Sequence, residues 1–339
     1  MLWTNVKRFM NKLKILDVFY GNKCNLTCVQ CDTRSDIFRK GEHDPSLESI
    51  KEGVLLASKH FKIESYSLLG GEPLLNLPIV EEILKFIRSF DSTTTILLPT
   101  NGALISKHFD KLTELISQYR VYFVVCDHCA AFEDRSRSLA IFHAVTELAT
   151  RIGIPETDPN QFHKNILNFK DPSSDWQSWM RLHREDGAAS DSDKYWADET
   201  KGVLLYGQDM FFRHHYFDNL VPKPYAEGNP DASYLHGCCS PFCTYLYDKK
   251  LYKCGALGTL KRFLEYHDSV DDTAWQRYLA YKPLDLTQCT DREVKNFSDS
   301  KFKSIPECDM CPSSAKRYLK VPETVLPNSK KYVPISKVD

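Results

Sequence analysis

The sequence predicts an α/β fold in which a parallel sheet is crossed by helices, and three observations lead there. Between residues 14 and 153, short apolar runs alternate with longer amphipathic stretches, the pattern of strands joined by crossover helices. The runs end in residues of distinctive chemistry: a cysteine triplet, Gly70-Gly71-Glu72-Pro73, Thr100-Asn101-Gly102 and Cys126-Asp127. Sites in such sheets gather at strand ends. At 339 residues, 42% of them hydrophobic, the chain has room for about two domains, or one large α/β domain with an appendage.

The elements follow in order. Residues 14–20 read as a strand and 48–60 as a helix. An apolar run at 63–69 ends in the glycine pair. The stretch 78–90 is helical, with Ile79, Ile83, Leu84 and Ile87 on one face. A strand at 94–98, a helix at 104–118, a strand at 121–126 and a helix at 139–152 complete four β-α repeats. Beyond them, 162–169 reads as a strand, 175–183 as a helix and 186–194 as a polar loop. A sixth strand falls in 203–206 or 209–217. Pro and Gly mark 221–235 as a linker. Strands at 244–247 and 251–253 flank Asp248-Lys249-Lys250, a hairpin signal without the favoured Asn-Gly. Residues 272–281 read as a helix. The basic start, 1–13, reads as an amphipathic helix, and the tail, 316–339, as extended chain.

Composition excludes several classes. Lys and Arg number 44 against 45 Asp and Glu, which argues against a polybasic nucleic-acid grip. Apolar runs such as 95–98 and 121–126 are far below the roughly 20 residues of a membrane-spanning helix. The N-terminus lacks the apolar region and cleavage site of a secretory signal. A cytoplasmic protein with neither a nucleic-acid nor a membrane partner is expected.

Twelve cysteines stand at 24, 28, 31, 126, 129, 238, 239, 243, 254, 289, 308 and 311. They bunch in an N-terminal triplet and a C-terminal group, which in a cytosolic chain points to metal or redox chemistry rather than disulfides. Cys24, Cys28 and Cys31 form C-x3-C-x2-C. Three thiolates so spaced suit three irons of a cubane cluster and leave the fourth open. Zinc sites prefer four ligands, so zinc is the weaker alternative. Glu72 offers a carboxylate to an ammonium group, and the adjacent glycines permit close backbone approach to a ligand. Alone, Gly70-Gly71 and Thr100-Asn101-Gly102 are ordinary turns.

Together, in this order and each after a strand, these motifs resemble the radical S-adenosylmethionine (SAM) superfamily. The resemblance implies a partial (β/α)6 barrel over 14–220. It implies a [4Fe-4S] cluster on Cys24, Cys28 and Cys31, whose open iron is chelated by the amino and carboxylate groups of SAM. Gly70, Gly71, Glu72 and Pro73 would then meet the SAM amino group, and Thr100 and Asn101 would lie near the ribose. The passage 127–137 resembles another family motif, which implies that Arg137 pairs with the SAM carboxylate. Gln30 stands where the family usually has an aromatic residue, and Val125 and His128 replace its Ser and Gly.

The C-terminal cysteines resemble the twitch domain, a short relative of the SPASM domain. That implies a small α+β unit over 236–315 holding one auxiliary [4Fe-4S] cluster on Cys254, Cys308 and Cys311. The fourth ligand is open among Cys238, Cys239 and Cys243, with spacing favouring Cys239 and Cys243 facing Cys254 across the hairpin. The family has Gly where this chain has Lys249. A structural zinc is the alternative. Cys126, Cys129 and Cys289 read as packing residues.

No catalytic residue is assigned. His163, His183, His214 and His215 fall in the stretch expected to face the open side of the barrel, and Trp176, Trp179 and Trp196 read as anchors. The implied function is reductive cleavage of SAM to a 5′-deoxyadenosyl radical, which takes hydrogen from a substrate C–H bond. The auxiliary cluster would accept the electron, giving net oxidation of a small molecule. The alternatives are a peptide or protein maturase of the same superfamily and a non-enzymatic zinc protein. Only 23 residues precede Cys24, too few for a leader-binding domain, which favours a small molecule. A flavodoxin or ferredoxin is the expected electron donor.

Overall fold

The computed structural model describes residues 11–26, 28, 31–38, 40–41, 43–126, 135–153, 203–206, 215–218, 221–235 and 238–313. Expectations for 1–10, 127–134, 154–202, 207–214 and 314–339 fall outside them, including the strand at 162–169, the helix at 175–183, His163, His183, His214 and the three tryptophans.

An eight-stranded sheet organises the described residues. In chain order its strands are β2 (Ile15–Phe19), β4 (Ser65–Leu69), β5 (Thr95–Thr100), β6 (Val121–Cys126), β7 (Val203–Tyr206), β10 (Cys243–Tyr247), β11 (Lys250–Tyr252) and β12 (Leu284–Asp285). Their spatial order is β12-β11-β10-β2-β4-β5-β6-β7. All pairs from β10 to β7 are parallel, and the two that include β11 are antiparallel. The expected α/β class and parallel run are therefore present, with the sixth strand at 203–206.

Side chains alternate across a strand. One face carries Leu16, Val18, Tyr66, Leu68, Ile96, Leu98, Val121 and Phe123, all buried. Helices Leu47–His60, Leu77–Phe90 and Phe109–Tyr119 supply the matching apolar stripes. Ser46 caps the first of these by accepting from the Ser49 amide at 3.1 Å, which fixes its start. In Leu77–Phe90 the buried residues are Val80, Ile83, Leu84 and Ile87, while Ile79 is exposed. The stripe runs i, i+3, i+4, i+7 from Val80, and Ile79 is about 100° off it.

The opposite face is different. Tyr245, Asp17, Ser67, Leu97 and Tyr122 lie in register on neighbouring strands. Polar and aromatic groups share this level, and at Tyr245 the face is covered by the segment around Gly258.

Three expectations are corrected. Residues 11–13 are not helical: Asn11–Leu13 (β1) pairs in parallel with Phe61–Ile63 (β3), because Leu13 is buried in the core by that pairing. The expected run 63–69 is accordingly two strands, β3 and β4. The stretch 221–235 is not a bare linker. Val221–Lys223 (β9) pairs with Tyr216–Asp218 (β8), and Pro230–Leu235 is a helix. Asn229 caps that helix, accepting from the Ala232 amide at 3.1 Å, and Pro230 has the fixed φ that suits a first helical position. The Trp275 indole, fully buried, donates to the Pro222 carbonyl at 2.9 Å.

The hairpin β10–β11 closes through Asp248 (φ 45°) and Lys249 (φ 60°). Two left-handed residues make the turn type that matches strand twist, which is the conformation a Gly would take without strain. Asp248 accepts from the Ser49 hydroxyl at 3.0 Å and Lys249 pairs with Glu52 at 3.3 Å. The hairpin is thus tied to helix Leu47–His60, and its strand β10 continues the main sheet beside β2. Helices Gly255–Tyr266, Thr273–Leu279 and Asp291–Ser300 complete this region. The last has a full capping box between Thr290 and Glu293. Among the described residues no helix is long and apolar enough to cross a membrane.

Candidate active site

The cysteine loop leaves β2 after Phe19. Gly21 and Gly41 both have positive φ, and a Cβ on either would meet the Asp44 carboxylate within 2.8 Å. Asp44 is held there because its Oδ1 accepts from the Asn22 amide at 2.7 Å and the Asn22 side chain at 3.1 Å. Cys24, Cys28 and Cys31 form no disulfide with one another. The Leu26 amide lies 3.4 Å from the Cys24 sulfur. The Cys31 sulfur is 3.2 Å from the Thr33 hydroxyl, which donates on to the Gly70 carbonyl at 3.1 Å.

Gly70 and Gly71 are required by contact with that loop. A Cβ on Gly71 would lie 2.1 Å from the Lys23 carbonyl oxygen, and one on Gly70 2.5 Å from that of Gly21. The Gly71 amide donates to Gly21 and the Glu72 amide to Lys23, each at 2.8 Å. The Tyr20 hydroxyl donates to the Gly71 carbonyl at 2.9 Å. The close approach expected toward a ligand is therefore made first to the chain's own backbone, next to Cys24.

Glu72 is buried and caps the short 3-10 helix opened by Pro73. Its Oε1 accepts from the Leu74 amide at 3.1 Å and the Thr100 hydroxyl at 2.7 Å, and its Oε2 from the Asn101 amide at 2.9 Å. Burial pushes its pKa up to about 7, against the lowering effect of these hydrogen bonds. Three of its roughly four acceptor positions are filled, leaving one on Oε2. Asn101 donates to the Asn25 side chain at 2.7 Å, so the third strand-end loop also grips the cysteine loop. The other half of Asn25, Nδ2, is buried without a partner. A spare donor beside Cys24 suits a thiolate or cluster sulfur. Thus Cys24, Gly71, Glu72, Thr100 and Asn101 are brought together. Arg137 lies in the first turn of helix Arg135–Arg151; its side chain is outside the described residues, as is the 127–134 passage.

Two buried arginines stand behind this loop. Arg34, at φ 63°, stacks 4.3 Å from the Phe263 ring. Arg262, from helix Gly255–Tyr266, donates to the Thr33 carbonyl at 3.1 Å and lies over Phe19 at 4.6 Å. On the sheet face, burial pushes half-buried Asp17 up to about 7, opposed by its hydrogen bond with Ser67. None of these carries a motif. The legible signal for Asp17 is a charge inside the apolar strand Ile-Leu-Asp-Val-Phe.

In the C-terminal group, burial pushes the thiols of Cys254 and Cys311 above their ordinary values, and neighbouring cysteines push them further. The neighbours acting on Cys254 are Cys238, Cys239 and Cys308, and those acting on Cys311 are Cys254, Cys238, Cys308 and Cys239. Cys243 instead contacts Cys239 and faces Asp17 and Lys301. Cys238, Cys239 and Cys243 thus all lie in this group, with Cys243 in contact with Cys239. Among the described residues, no group of three or more His, Cys, Asp or Glu side chains is placed to hold a metal ion. The donor sets are nevertheless of the kind iron–sulfur clusters use, cysteines outside disulfides grouped by short spacing. Cys289 lies 3.6 Å from His60. His215 packs on Phe263 and Phe217.

The family model of the radical SAM superfamily matches residues 18–155. The segment 18–155 therefore matches a radical SAM domain. The chain is similar to two proteins named GTP 3′,8-cyclase. That of Peptoclostridium acidaminophilum is 29% identical over 102 residues, 30% of this chain and 31% of the relative. That of Alkaliphilus metalliredigens is 28% identical over 107 residues, 31% of this chain and 33% of the relative. It is also similar to the radical SAM cyclopropyl synthase TigE of Paramaledivibacter caminithermalis, 27% identical over 146 residues, 38% of this chain and 28% of the relative. The matched segments thus span about a third of each relative. A radical SAM domain is an enzyme domain whose cofactors are a [4Fe-4S] cluster and SAM, and the matched segment contains the cysteine loop and both strand-end loops that grip it.

Proposed function

We propose that this chain is a radical SAM oxidoreductase acting on a small molecule, with an auxiliary iron–sulfur cluster as electron acceptor. The observation that carries the reading is the interlock of three strand-end loops: Gly71 on Lys23, Glu72 on Thr100 and Asn101, and Asn101 on Asn25. When bound, the cofactors supply an electron, cleavage of SAM to methionine and a 5′-deoxyadenosyl radical, and abstraction of a substrate hydrogen atom. Cys24, Cys28 and Cys31 hold three irons and leave one for SAM. Gly70 to Pro73 wall the amino end, with Glu72 Oε2 as the acceptor for the ammonium. Thr100 and Asn101 border the ribose, and Arg137 takes the carboxylate. Cys254, Cys308 and Cys311, with Cys239 or Cys238, hold the acceptor cluster. Reduction comes from a flavodoxin or ferredoxin.

A second reading has a specific support. The names of the similar proteins, cyclase and cyclopropyl synthase, both denote ring closure, which favours bond formation within the substrate. A peptide substrate is the remaining variant of it.

The experiment is anaerobic reconstitution with iron and sulfide, then dithionite and SAM. Methionine and 5′-deoxyadenosine in equal amounts are expected. A colourless protein containing zinc, or an iron-loaded protein that forms no 5′-deoxyadenosine, refutes the proposal.

A further inference from the structure

Two lysines are buried where the C-terminal cysteines gather. Lys253, immediately before Cys254, is 1% exposed, and Lys301, which ends helix Asp291–Ser300, is 2% exposed. The Lys253 ammonium donates to the carbonyls of Ser300 and Lys303 and lies 5.0 Å from the Tyr234 ring. Lys301 donates to the carbonyls of Cys243 and Lys253. Neither has a carboxylate partner within ion-pair distance among the described residues. Less buried lysines of the same region do: Lys223 with Asp272, Lys249 with Glu52, Lys295 with Asp299.

A buried cation without a counter-charge is strongly unfavourable. Burial pulls both ammonium groups down, Lys301 to about 8, and the groups that oppose this are Cys308, Cys238 and Cys254 for Lys253 and Cys243, Cys239 and Cys254 for Lys301. Burial pushes Asp17 up to about 7, and Lys301 opposes that shift. Each ammonium has three N–H donors, of which two go to the backbone. The geometry places the two ammonium groups against the backbone of the cysteine region: Lys301 on the carbonyls of Cys243 and of Lys253, the residue before Cys254, and Lys253 on that of Ser300, the residue before Lys301.

We infer that Lys253 and Lys301 form a paired cationic shelf that raises the reduction potential of an iron–sulfur cluster held by the C-terminal cysteines. This rests on the auxiliary-cluster reading above. A cluster gains negative charge on reduction, so fixed positive charge nearby favours the reduced state. The shelf makes that cluster a better electron acceptor. A loop staple would use the same carbonyl contacts without moving the potential.

The test uses the full chain with Cys24, Cys28 and Cys31 all changed to Ala, so that only the C-terminal cluster contributes. Its reduced signal is followed by electron paramagnetic resonance in a mediated redox titration. At the potential where this parent is half reduced, Lys301→Met and Lys253→Met are each expected to lower the reduced-to-oxidised ratio at least tenfold, equal to about 59 mV for one electron. Lys301→Arg should restore the parent ratio, and exposed Lys261→Met should not change it. Unchanged ratios in both Met variants at full iron content overturn the inference. Loss of iron from both Met variants assigns the lysines to loop structure and also overturns it. A parent with no second iron–sulfur signal refutes the auxiliary-cluster reading itself, and the inference falls with it.

Discussion

The Thr100 hydroxyl donates to the Glu72 carboxylate at 2.7 Å, so the loops after β4 and β5 are latched to each other inside the core. Both also touch the cysteine loop, through Lys23 and Asn25. Disturbing any one of the three is therefore expected to affect cofactor loading as well as stability.

Glu72→Gln places an amide NH2 where Oε2 now accepts from Asn101. That leaves one buried donor unpaired, which costs about 1–3 kcal/mol. A lower melting temperature, weaker SAM binding by titration and unchanged iron content are expected. Unchanged SAM affinity would confine Glu72 to a structural role.

The same carboxylate gives a pH dependence. Burial raises Glu72 from 4.5 and Asp17 from 3.8, each to about 7. Raised acids bind more protons in the folded chain than in the unfolded one. Their contribution is complete below the ordinary values and is lost as pH rises through about 7. Denaturant unfolding of the metal-free chain should show stability falling over that window, with a smaller slope in Glu72→Gln.

Gly71→Ala would set a Cβ 2.1 Å from the Lys23 carbonyl oxygen. Backbone on both sides leaves nothing flexible to yield, so at least about 1–3 kcal/mol is lost. Iron bound by the N-terminal triplet should fall in parallel. Normal iron content and melting temperature would show that the loops do not need this contact.

The cysteines separate by iron content. Changing Cys24, Cys28 and Cys31 together to Ala should remove about half the iron, one cluster of two, and abolish 5′-deoxyadenosine formation. Cys308→Ala should remove the other half and leave that formation intact, with oxidised product lost relative to it. Cys243→Ala should retain both halves, because its thiol contacts Cys239 and faces Asp17 and Lys301. Loss of iron in Cys243→Ala would return it to the ligand set.

Much of this was readable in the chain. Periodicity located the helices over 48–60 and 78–90 and the strand at 121–126 because those segments bury one face against a single sheet. The Cys, Gly-Gly-Glu-Pro and Thr-Asn-Gly motifs were readable because each needs particular residue types locally. What stayed hidden lay at boundaries and in isolated side chains. Ile79 and Val80 are adjacent and equally apolar, and only the angle of the helix on the sheet selects Val80. Residues 11–13 looked helical by charge, yet pair with β3.

The sequence by itself determined the class of fold, the alternation of strands and helices over 14–153 and the three cofactor motifs, since these depend on residue type and short spacing. Only the tertiary structure decided what those motifs touch. The glycine pair serves the cysteine loop, Glu72 joins two loops, β10 extends the main sheet beside β2, and Lys253 and Lys301 meet around Cys254. These contacts join residues about 30 to 230 positions apart, and pairing across such separations is fixed by burial and hydrogen-bond satisfaction in the folded chain, which no local pattern encodes.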